Sequence, residues 1–492
     1  MNAGEAPKVK VESIERFERD VKLRLPFRFG VITLTEAMQA VARVTISLAD
    51  GRNATGVAAE TLAAKWFDKN LALTDDQNVE QLRQALDIAA ELYRARGLAT
   101  PFALYADTYP DQMARGAALE LNPLVASYGP ALLDRAIIDA LGRVLGTSFA
   151  DMIRANVPGM AATALVPDLA GFDLARFLAS LKPGESIDVR HTVGLVDPIV
   201  AADQPAAHRV DDGLPETLEE VARHYRCRFY KLKVGGKVDA DLDRLSRIAA
   251  VLDEDAGDYR ATLDGNEQYD SVEGIAELWR RMADTPRLKR LVDSILFIEQ
   301  PIKRAVALSR TVAPLAQHRP LEIDESDGDL GAFPAALKLG YAGVSSKNCK
   351  GFYKSILNAA RVAKLNGEAG ETRYFMSAED LTTWAGVSVQ QDLALVSLLG
   401  LTHVERNGHH FIDGMSFAPE GEQRSFVAAH PDLYAKEKDA PARLRISKGR
   451  LSIGSLGCDG FAVAGAMDFA SMRPMPAAPK TALRPAGQTV SA

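Results

Sequence analysis

Residues 228–236 read RFYKLKVGG, a pattern that predicts a buried β-strand followed at once by a glycine turn. Side chains alternate between the two faces of a strand, so Lys231 and Lys233 share one face. If that face points into a barrel, each lysine needs a partner of opposite charge. Two adjacent ammonium groups lower the pKa of at least one of them, which would help Lys233 act as a base near neutral pH. On the motif alone, an edge strand with both lysines in water is an equally good interpretation.

Short apolar runs that end in polar residues alternate with helical stretches from about residue 187 onward, which indicates βα units and a parallel sheet. Successive run ends from Lys233 onward are about 23 to 35 residues apart. That spacing is typical of a (β/α) barrel. The run ends fall at His191, Lys233, Asp264, Glu299, Asp324, Lys347, Ser377 and His403.

The N-terminal region has a different pattern. A β-rich stretch is interrupted by Asp50-Gly51, a hairpin signal, and residues 76–152 then show helical periodicity. The preceding segment LPFRFG, residues 25–30, is interpreted as a loop. We therefore predict an α+β domain at 1–165, a (β/α) barrel at 187–415, a returning segment of turns and short strands at 416–472, and a disordered Pro- and Ala-rich tail at 473–492.

Three acidic residues stand at consecutive predicted strand ends: Asp264 in TLDGNEQY, Glu299 in LFIEQP and Asp324 in LEIDES. Any one of them alone would be interpreted as a helix cap or a solvated loop residue. Together they converge at the mouth of a barrel, where their mutual repulsion is costly without a cation. Oxygen ligands without His or Cys suit magnesium. The sequence therefore predicts one Mg²⁺ per subunit, with Mn²⁺ as a possible substitute.

A second lysine, Lys347 in AGVSSKNCKG, stands at the sixth strand end, roughly across the barrel from Lys233. Lys350 is the competing candidate, although it lies closer to the next predicted helix. Lysines on both faces of a bound substrate would allow a proton to be removed from one face and returned to the other.

The chain resembles the enolase superfamily, in particular its mandelate racemase and muconate lactonizing enzyme family. The resemblance covers about residues 10–465 and rests on LPFRFG with its hairpin, ALLDRAIIDALGRVLG, YKLKVGG, LDGNE, FIEQP and IDES. It implies an α/β fold: a modified (β/α)7β TIM-like barrel with an N-terminal α+β capping domain. It also implies that Asp264, Glu299 and Asp324 are the metal ligands, that Lys233 is the base, and that Lys231 tunes it.

The resemblance implies abstraction of the α-proton of a carboxylate substrate to give a metal-stabilised enolate. Racemisation, epimerisation, cycloisomerisation or β-elimination would follow, the last as in an acid-sugar dehydratase. An aspartate as third ligand favours the muconate-lactonizing type of site. Alignment on Gly351 would place Ser345 or Ser346, instead of Lys347, on the opposite face. A Schiff-base lysine aldolase and a non-catalytic barrel are the more distant alternatives.

Further side chains are candidates for supporting the site or binding the substrate. Glu322 has the strand parity to lie deeper in the barrel beside a lysine. Phe27, Arg28 and Phe29 of LPFRFG could fold over the mouth of the barrel. The remaining candidates are Asn266, Glu325, Arg190, His191, Ser377 and His403, with His409 and His410 as structural or lining residues.

The composition narrows the class of protein. With 47% hydrophobic and 25% charged residues it is that of a soluble globular protein, and a net charge of -7 argues against a nucleic-acid surface. The sequence has no membrane-spanning apolar run, and MNAGEAPKVK lacks a signal-peptide core. Three separated cysteines without CxxC predict neither a zinc site nor disulfides. We expect a cytoplasmic homo-oligomer acting on a small carboxylate, without nucleic-acid or membrane partners.

Overall fold

The computed structural model describes residues 6–29 and 32–484. Residues 485–492 of the predicted tail and Gly30 of LPFRFG lie outside the described residues, as does the side chain of Phe29. No helix within the described ranges is long and apolar enough to cross a membrane.

An antiparallel sheet forms the N-terminal region, from β1 (Val9–Phe29), β2 (Ile32–Leu48) and β3 (Asn53–Thr61). The predicted Asp50-Gly51 turn joins β2 to β3, and Gly51 adopts a φ of +87° that glycine tolerates. The segment 25–29, interpreted as a loop, is instead the end of β1. Val21, Leu23, Leu25 and Phe27 are all buried, and this alternation keeps the segment in the strand beyond an irregularity between Lys22 and Phe27.

Six helices follow this sheet. The first is fixed by a capping box in which Thr74 and Gln77 each accept a hydrogen bond from the other's backbone N–H. The helices are α1 (Asp75–Arg96), α2 (Pro101–Ala118), α3 (Pro123–Ala126), α4 (Tyr128–Leu145), α5 (Phe149–Arg154) and α6 (Leu174–Ser180).

Gly56 lets β3 lie directly against α4, and its replacement by alanine is expected to destabilise the protein. A Cβ at this position would lie 2.2 Å from both Ala136 O and Ala140 N, which are backbone atoms that cannot rotate away. We expect Gly56→Ala to lower the free energy of unfolding by about 1–3 kcal/mol or more in urea titrations. Gly367→Ala, in open space within a helix, is the matched control and should be neutral or stabilising. Equal stabilities of the two variants would contradict this packing.

The second sheet is parallel and strongly curled. Eight of its nine strands are parallel and run in the order β10-β9-β8-β7-β6-β5-β4-β11, so β4 and β11, the first and last of these eight along the chain, are paired with each other. Arg190 reaches across the interior from β4 to donate to Ala378 O of β10 at 2.9 Å. The strands are β4 (Ser186–Val193), β5 (Phe229–Lys233), β6 (Arg260–Asp264), β7 (Ile295–Glu299), β8 (Leu321–Ile323), β9 (Gly343–Ser346), β10 (Phe375–Ala378) and β11 (His403–Arg406).

Helices alternate with these strands, as the sequence pattern predicts. The chain therefore has a mixed α/β fold in which a curled parallel sheet follows an antiparallel N-terminal sheet. The helices are α7 (Leu218–Tyr225), α8 (Val238–Asp255), α9 (Val272–Ala283), α10 (Lys289–Ser294), α11 (Arg304–Ala307), α12 (Ala313–Ala316), α13 (Ala332–Leu337), α14 (Phe352–Ala369) and α15 (Val387–Leu398).

After β11 the chain returns to the N-terminal sheet. The elements of this return are α16 (Gly408–Phe411), α17 (Glu420–Ala429), β12 (Tyr434–Ala435), β13 (Arg443–Leu444), β14 (Arg450–Ser452) and β15 (Arg473–Pro474). Strand β14 pairs with β4, and β15 pairs with β1. Beyond β15, the carbonyls of Pro479 and Thr481 accept hydrogen bonds from Gln84 of α1 at 2.6 and 2.8 Å.

Candidate active site

The carboxyl ends of neighbouring parallel strands bring the predicted residues to one edge of the curled sheet. Lys233, Asp264 and Glu299 are the last residues of β5, β6 and β7, and Asp324 directly follows β8. All four side chains are buried. The convergence inferred from the run ends is therefore present in the fold.

Lys231 lies at the centre of a group of carboxylates. Its Nζ is 3.0 Å from Asp264 Oδ2, 2.8 Å from both Glu299 and Glu379, and 2.9 Å from Glu405. Burial alone would lower the pKa of this lysine, but the four carboxylates outweigh it and raise the pKa well above its usual value. The pKa depression expected from two adjacent lysines is thus not found at Lys231, which is held as a cation.

Lys233 lies beside Lys231 and contacts only part of this group. Its Nζ is 2.5 Å from Asp264 Oδ2, while Asp264 Oδ1 accepts a hydrogen bond from the backbone N–H of Asn266 at 2.6 Å. Burial opposes ionisation of Asp264, but Lys231 and Lys233 lower its pKa. Asp264 is therefore an ionised oxygen donor placed next to the predicted base.

Glu299 lies in a buried site with other carboxylates close to it. Burial, followed by the charges of Asp264 and Glu379, raises its pKa well above the usual value, although Lys231 partly compensates. Positive charge beyond that of Lys231 would relieve this repulsion.

Asp324 is surrounded by cations from the end of β9. Lys347 Nζ lies 2.6 Å from its Oδ2, Lys350 Nζ lies 3.3 Å from its Oδ1, and the hydroxyl of Ser345 donates to Oδ1 at 2.5 Å. Burial opposes ionisation, but Lys347 and Lys350 lower the pKa of Asp324 well below its usual value. Lys350 also pairs with Asp327 at 3.2 Å.

A small cavity lies between the N-terminal sheet and the strand ends, and both Lys233 and Lys347 line it. In the curled sheet β5 and β9 are four positions apart, so the two lysines reach the cavity from well-separated strands. Lys350 and Ser345 are not among the residues that line it. Phe27, Trp66, Asn266, Glu405 and Asn407 complete much of the wall.

Sequence reasoning missed Glu379 and Glu405, which hold Lys231. Arg190 donates to Glu379 Oε1, and Thr192 donates to Glu405 Oε1 at 2.7 Å. Glu379 follows β10 directly and could have been found by the strand-end rule that found Asp324. Glu405 lies within β11, where strand alternation was the available signal.

The polar residues predicted to support the site form two separate hydrogen-bonded pairs, Asn266 with Glu325 and Ser377 with Glu322. Asn266 lines the cavity and donates to Glu325 Oε1 at 2.6 Å, and burial raises the pKa of Glu325 to about 7. Ser377 donates to Glu322 Oε1 at 2.8 Å. Among the described residues, no lysine forms a hydrogen bond or an ion pair with Glu322.

The histidines and Arg28 lie away from the carboxylate group. His403 begins β11 instead of ending it, stacks on Phe229 and contacts Arg190 through Nδ1 at 2.9 Å. His191 packs against His409, with 3.3 Å between Nδ1 and Nε2, and against His410. Arg28 is exposed on the N-terminal hairpin. None of His191, His403 and Arg28 is among the residues lining the cavity.

The residues present fit a divalent cation by their charge. Within the curled sheet, among the described residues, six buried carboxylates (Asp264, Glu299, Glu322, Asp324, Glu379 and Glu405) face four cations (Arg190, Lys231, Lys233 and Lys347), with Lys350 shared with Asp327. If all are ionised, this core group carries an excess of negative charge. Burial of unpaired charge is costly, so a bound cation would stabilise it.

One trio of acids in the described chain has oxygens that all lie within 4.8 Å of one another, namely Glu299, Glu322 and Glu379. Only Glu299 belongs to the ligand set implied by the resemblance. In that set, Asp264 and Glu299 are bridged by Lys231, while Asp324 is paired with Lys347. The geometry thus offers two carboxylate sets that share Glu299.

Solved structures share this fold at low sequence identity. A muconate lactonizing enzyme from Mucobacterium Smegmatis, complexed with muconolactone, is 21% identical with a TM-score of 0.58, covering 95% of this chain and 100% of that chain. A dipeptide epimerase from Enterococcus faecalis, complexed with Mg and a dipeptide, is 14% identical with a TM-score of 0.57, covering 92% and 99%. An enolase from Bradyrhizobium, complexed with magnesium and mandelic acid, is 16% identical with a TM-score of 0.56, covering 94% and 97%.

No protein-family model and no curated protein matches the sequence. The resemblance to the mandelate racemase and muconate lactonizing enzyme family is confirmed at the level of the fold.

Proposed function

We propose that this chain is an isomerase of the enolase superfamily that removes and returns the α-proton of a carboxylate substrate. The observation that carries the proposal is the pair of buried lysines, Lys233 and Lys347, which line one cavity from strand ends four positions apart in the curled sheet. Two proton-transferring groups on opposite faces support racemisation or epimerisation over one-faced elimination.

Asp264, Glu299 and Asp324 would hold one magnesium ion, and the excess of buried carboxylates supports this assignment. When bound, magnesium would supply positive charge where the substrate carboxylate gains electron density, which is the general scheme of the enolase superfamily. A protein carboxylate and water ligand set of this kind suits magnesium, and Mn²⁺ is the expected substitute.

The chain's own residues would divide the remaining work. Lys233 accepts the α-proton on one face, and Lys347 exchanges a proton on the other. Lys231, fixed by Glu299, Glu379 and Glu405, keeps the carboxylates in place beneath the substrate. The apolar side chains of Phe27 and Trp66 keep water from the reacting carbon.

Deuterium exchange tests this function directly. The protein is incubated with Mg²⁺ in deuterated water with acid sugars, N-acyl amino acids, dipeptides, cyclic amino acids and α-hydroxy acids, and NMR follows deuterium at the α-carbon. We expect exchange into at least one class, with formation of the opposite stereoisomer. Exchange with loss of a β-substituent would instead indicate a lyase, and absence of exchange from every class would contradict the proposal.

A further inference from the structure

The loop that joins β3 to α1 places an aromatic side chain on Lys347. The Lys347 Nζ lies 4.3 Å from the centroid of the Trp66 ring. Trp66 is buried, and both residues line the cavity that Lys233 also faces. Tryptophan provides the strongest cation–π partner among the aromatic side chains. The contact therefore links the N-terminal region to the lysine on the far side of the cavity.

Hydrogen bonds within this loop stabilise its backbone. Lys65 adopts a φ of +60°, an uncommon conformation for a residue with a side chain. Its Nζ donates to Asn70 O at 2.9 Å and to Leu73 O at 2.5 Å, so it closes the loop on itself. Such a conformation persists when the surrounding contacts determine it.

Residues that follow the strands β6 and β7 of the curled sheet also bind this loop. Arg304 donates to Trp66 O at 2.8 Å and to Phe67 O at 2.9 Å, and its guanidinium also binds Glu267. Lys69 reaches Glu267 Oε2 at 2.5 Å. Trp66 is thus fixed relative to the strand ends before any substrate binds.

Lys347 needs such a restraint, because its four-carbon side chain has many rotamers and Asp324 fixes only one direction of the ammonium. The ring of Trp66 restricts the ammonium in a second direction. The ammonium is therefore in contact with Asp324 and Trp66, and its remaining open side is toward the cavity.

Resting on the proposed function, we propose that Trp66 is a positioning residue that orients Lys347 for proton transfer on the face opposite Lys233. Catalysis requires reacting groups in a near-attack geometry, and loss of one restraint lowers the rate without removing a reacting group. We expect replacement of Trp66 to lower kcat, because Lys347 would still be present but would no longer be oriented for proton transfer.

The kinetic test compares Trp66→Leu with Trp66→Phe on the substrate that exchanges best. We expect Trp66→Leu to lower kcat by about 3- to 30-fold, the size of one buried cation–π contact, with KM changed less than about twofold. Trp66→Phe keeps an aromatic face and should restore kcat to within about threefold of the original. A rise in KM at unchanged kcat, or equal kcat in both variants, would overturn the positioning role.

A spectroscopic arm needs no substrate and separates this inference from the proposed function. The contribution of Trp66 to the emission is the difference between spectra with and without Trp66→Phe, since the chain has three tryptophans. Removing the ammonium with Lys347→Met should change the intensity of that contribution, and Lys347→Arg should largely preserve it.

Trp279 provides the matched control, because Arg319 lies 5.2 Å from its ring and Trp279 is not among the residues that line the cavity. Trp279→Phe should leave kcat unchanged, and its emission should not respond to Lys347→Met. Unchanged Trp66 emission in a folded Lys347→Met protein would show that the contact does not exist. A changed emission without exchange from any carboxylate would contradict the proposed function instead.

Discussion

Replacing Lys233 with alanine is expected to lower α-deuterium exchange by about 100- to 10,000-fold, the usual contribution of a positioned general base. Lys233 is the lysine that lines the cavity beside Asp264, whereas Lys231 is enclosed by four carboxylates and cannot readily give up its charge. The rate is measured by NMR in deuterated water at saturating Mg²⁺.

Two further variants make this result specific. Lys289→Ala removes an exposed lysine and should exchange at the original rate. Lys347→Ala should abolish exchange from one stereoisomer while the other continues to exchange through Lys233. Circular dichroism confirms that each variant is folded. If Lys233→Ala retains full exchange with both stereoisomers, another group is the base.

The second large effect concerns metal affinity. Asp324→Asn should weaken Mg²⁺ binding by more than the about 10- to 100-fold that loss of an outer-shell partner typically costs, because it removes a charged ligand. Glu299→Gln combined with Asp324→Asn should abolish measurable binding. Isothermal titration with Mg²⁺, or electron paramagnetic resonance with Mn²⁺, follows the loss without needing a substrate.

The same titrations distinguish the two carboxylate sets that share Glu299. Glu322→Gln is the matched control, because Glu322 belongs only to the trio within 4.8 Å and accepts a hydrogen bond from Ser377. We expect it to leave Mg²⁺ affinity within about tenfold of the original, the lower limit of an outer-shell effect. Strong loss in Glu322→Gln with full binding in Asp324→Asn would move the ion to Glu299, Glu322 and Glu379.

Much of the fold could be predicted from the sequence because apolar runs and their polar ends recur at a regular interval. Lys233, Asp264 and Glu299 are the last residues of their strands, as predicted. The same rule failed at His403, because the run it ends is the helix and turn before β11, so the residue starts the strand. The interpretation of segment 25–29 as a loop was wrong, because Leu25 and Phe27 are buried and continue the alternation of β1.

The electrostatics of the site could be predicted less well. The rule that two adjacent lysines lower the pKa of one of them considers only neighbours on the same strand. It ignores carboxylates that come from strands distant in the sequence. Glu379 and Glu405 follow Lys231 by 148 and 174 residues, yet both bind its ammonium. Lys347, Lys350 and the serines all lie within a few residues of the end of β9, so the sequence could not predict that Lys347 alone among them lines the cavity.

The pairing of β15 with β1 has a consequence for the order of folding during synthesis. Phe17 and Glu18 of β1 pair with Pro474 and Arg473, and Arg473 also binds Asp20. On the ribosome, β1 can therefore pair with β2 early but must wait for nearly the whole chain before this edge is covered. An open edge can recruit a strand from another molecule. Nascent or truncated chains that end before residue 473 should consequently be the aggregation-prone species, and chaperone demand should fall when β15 is made.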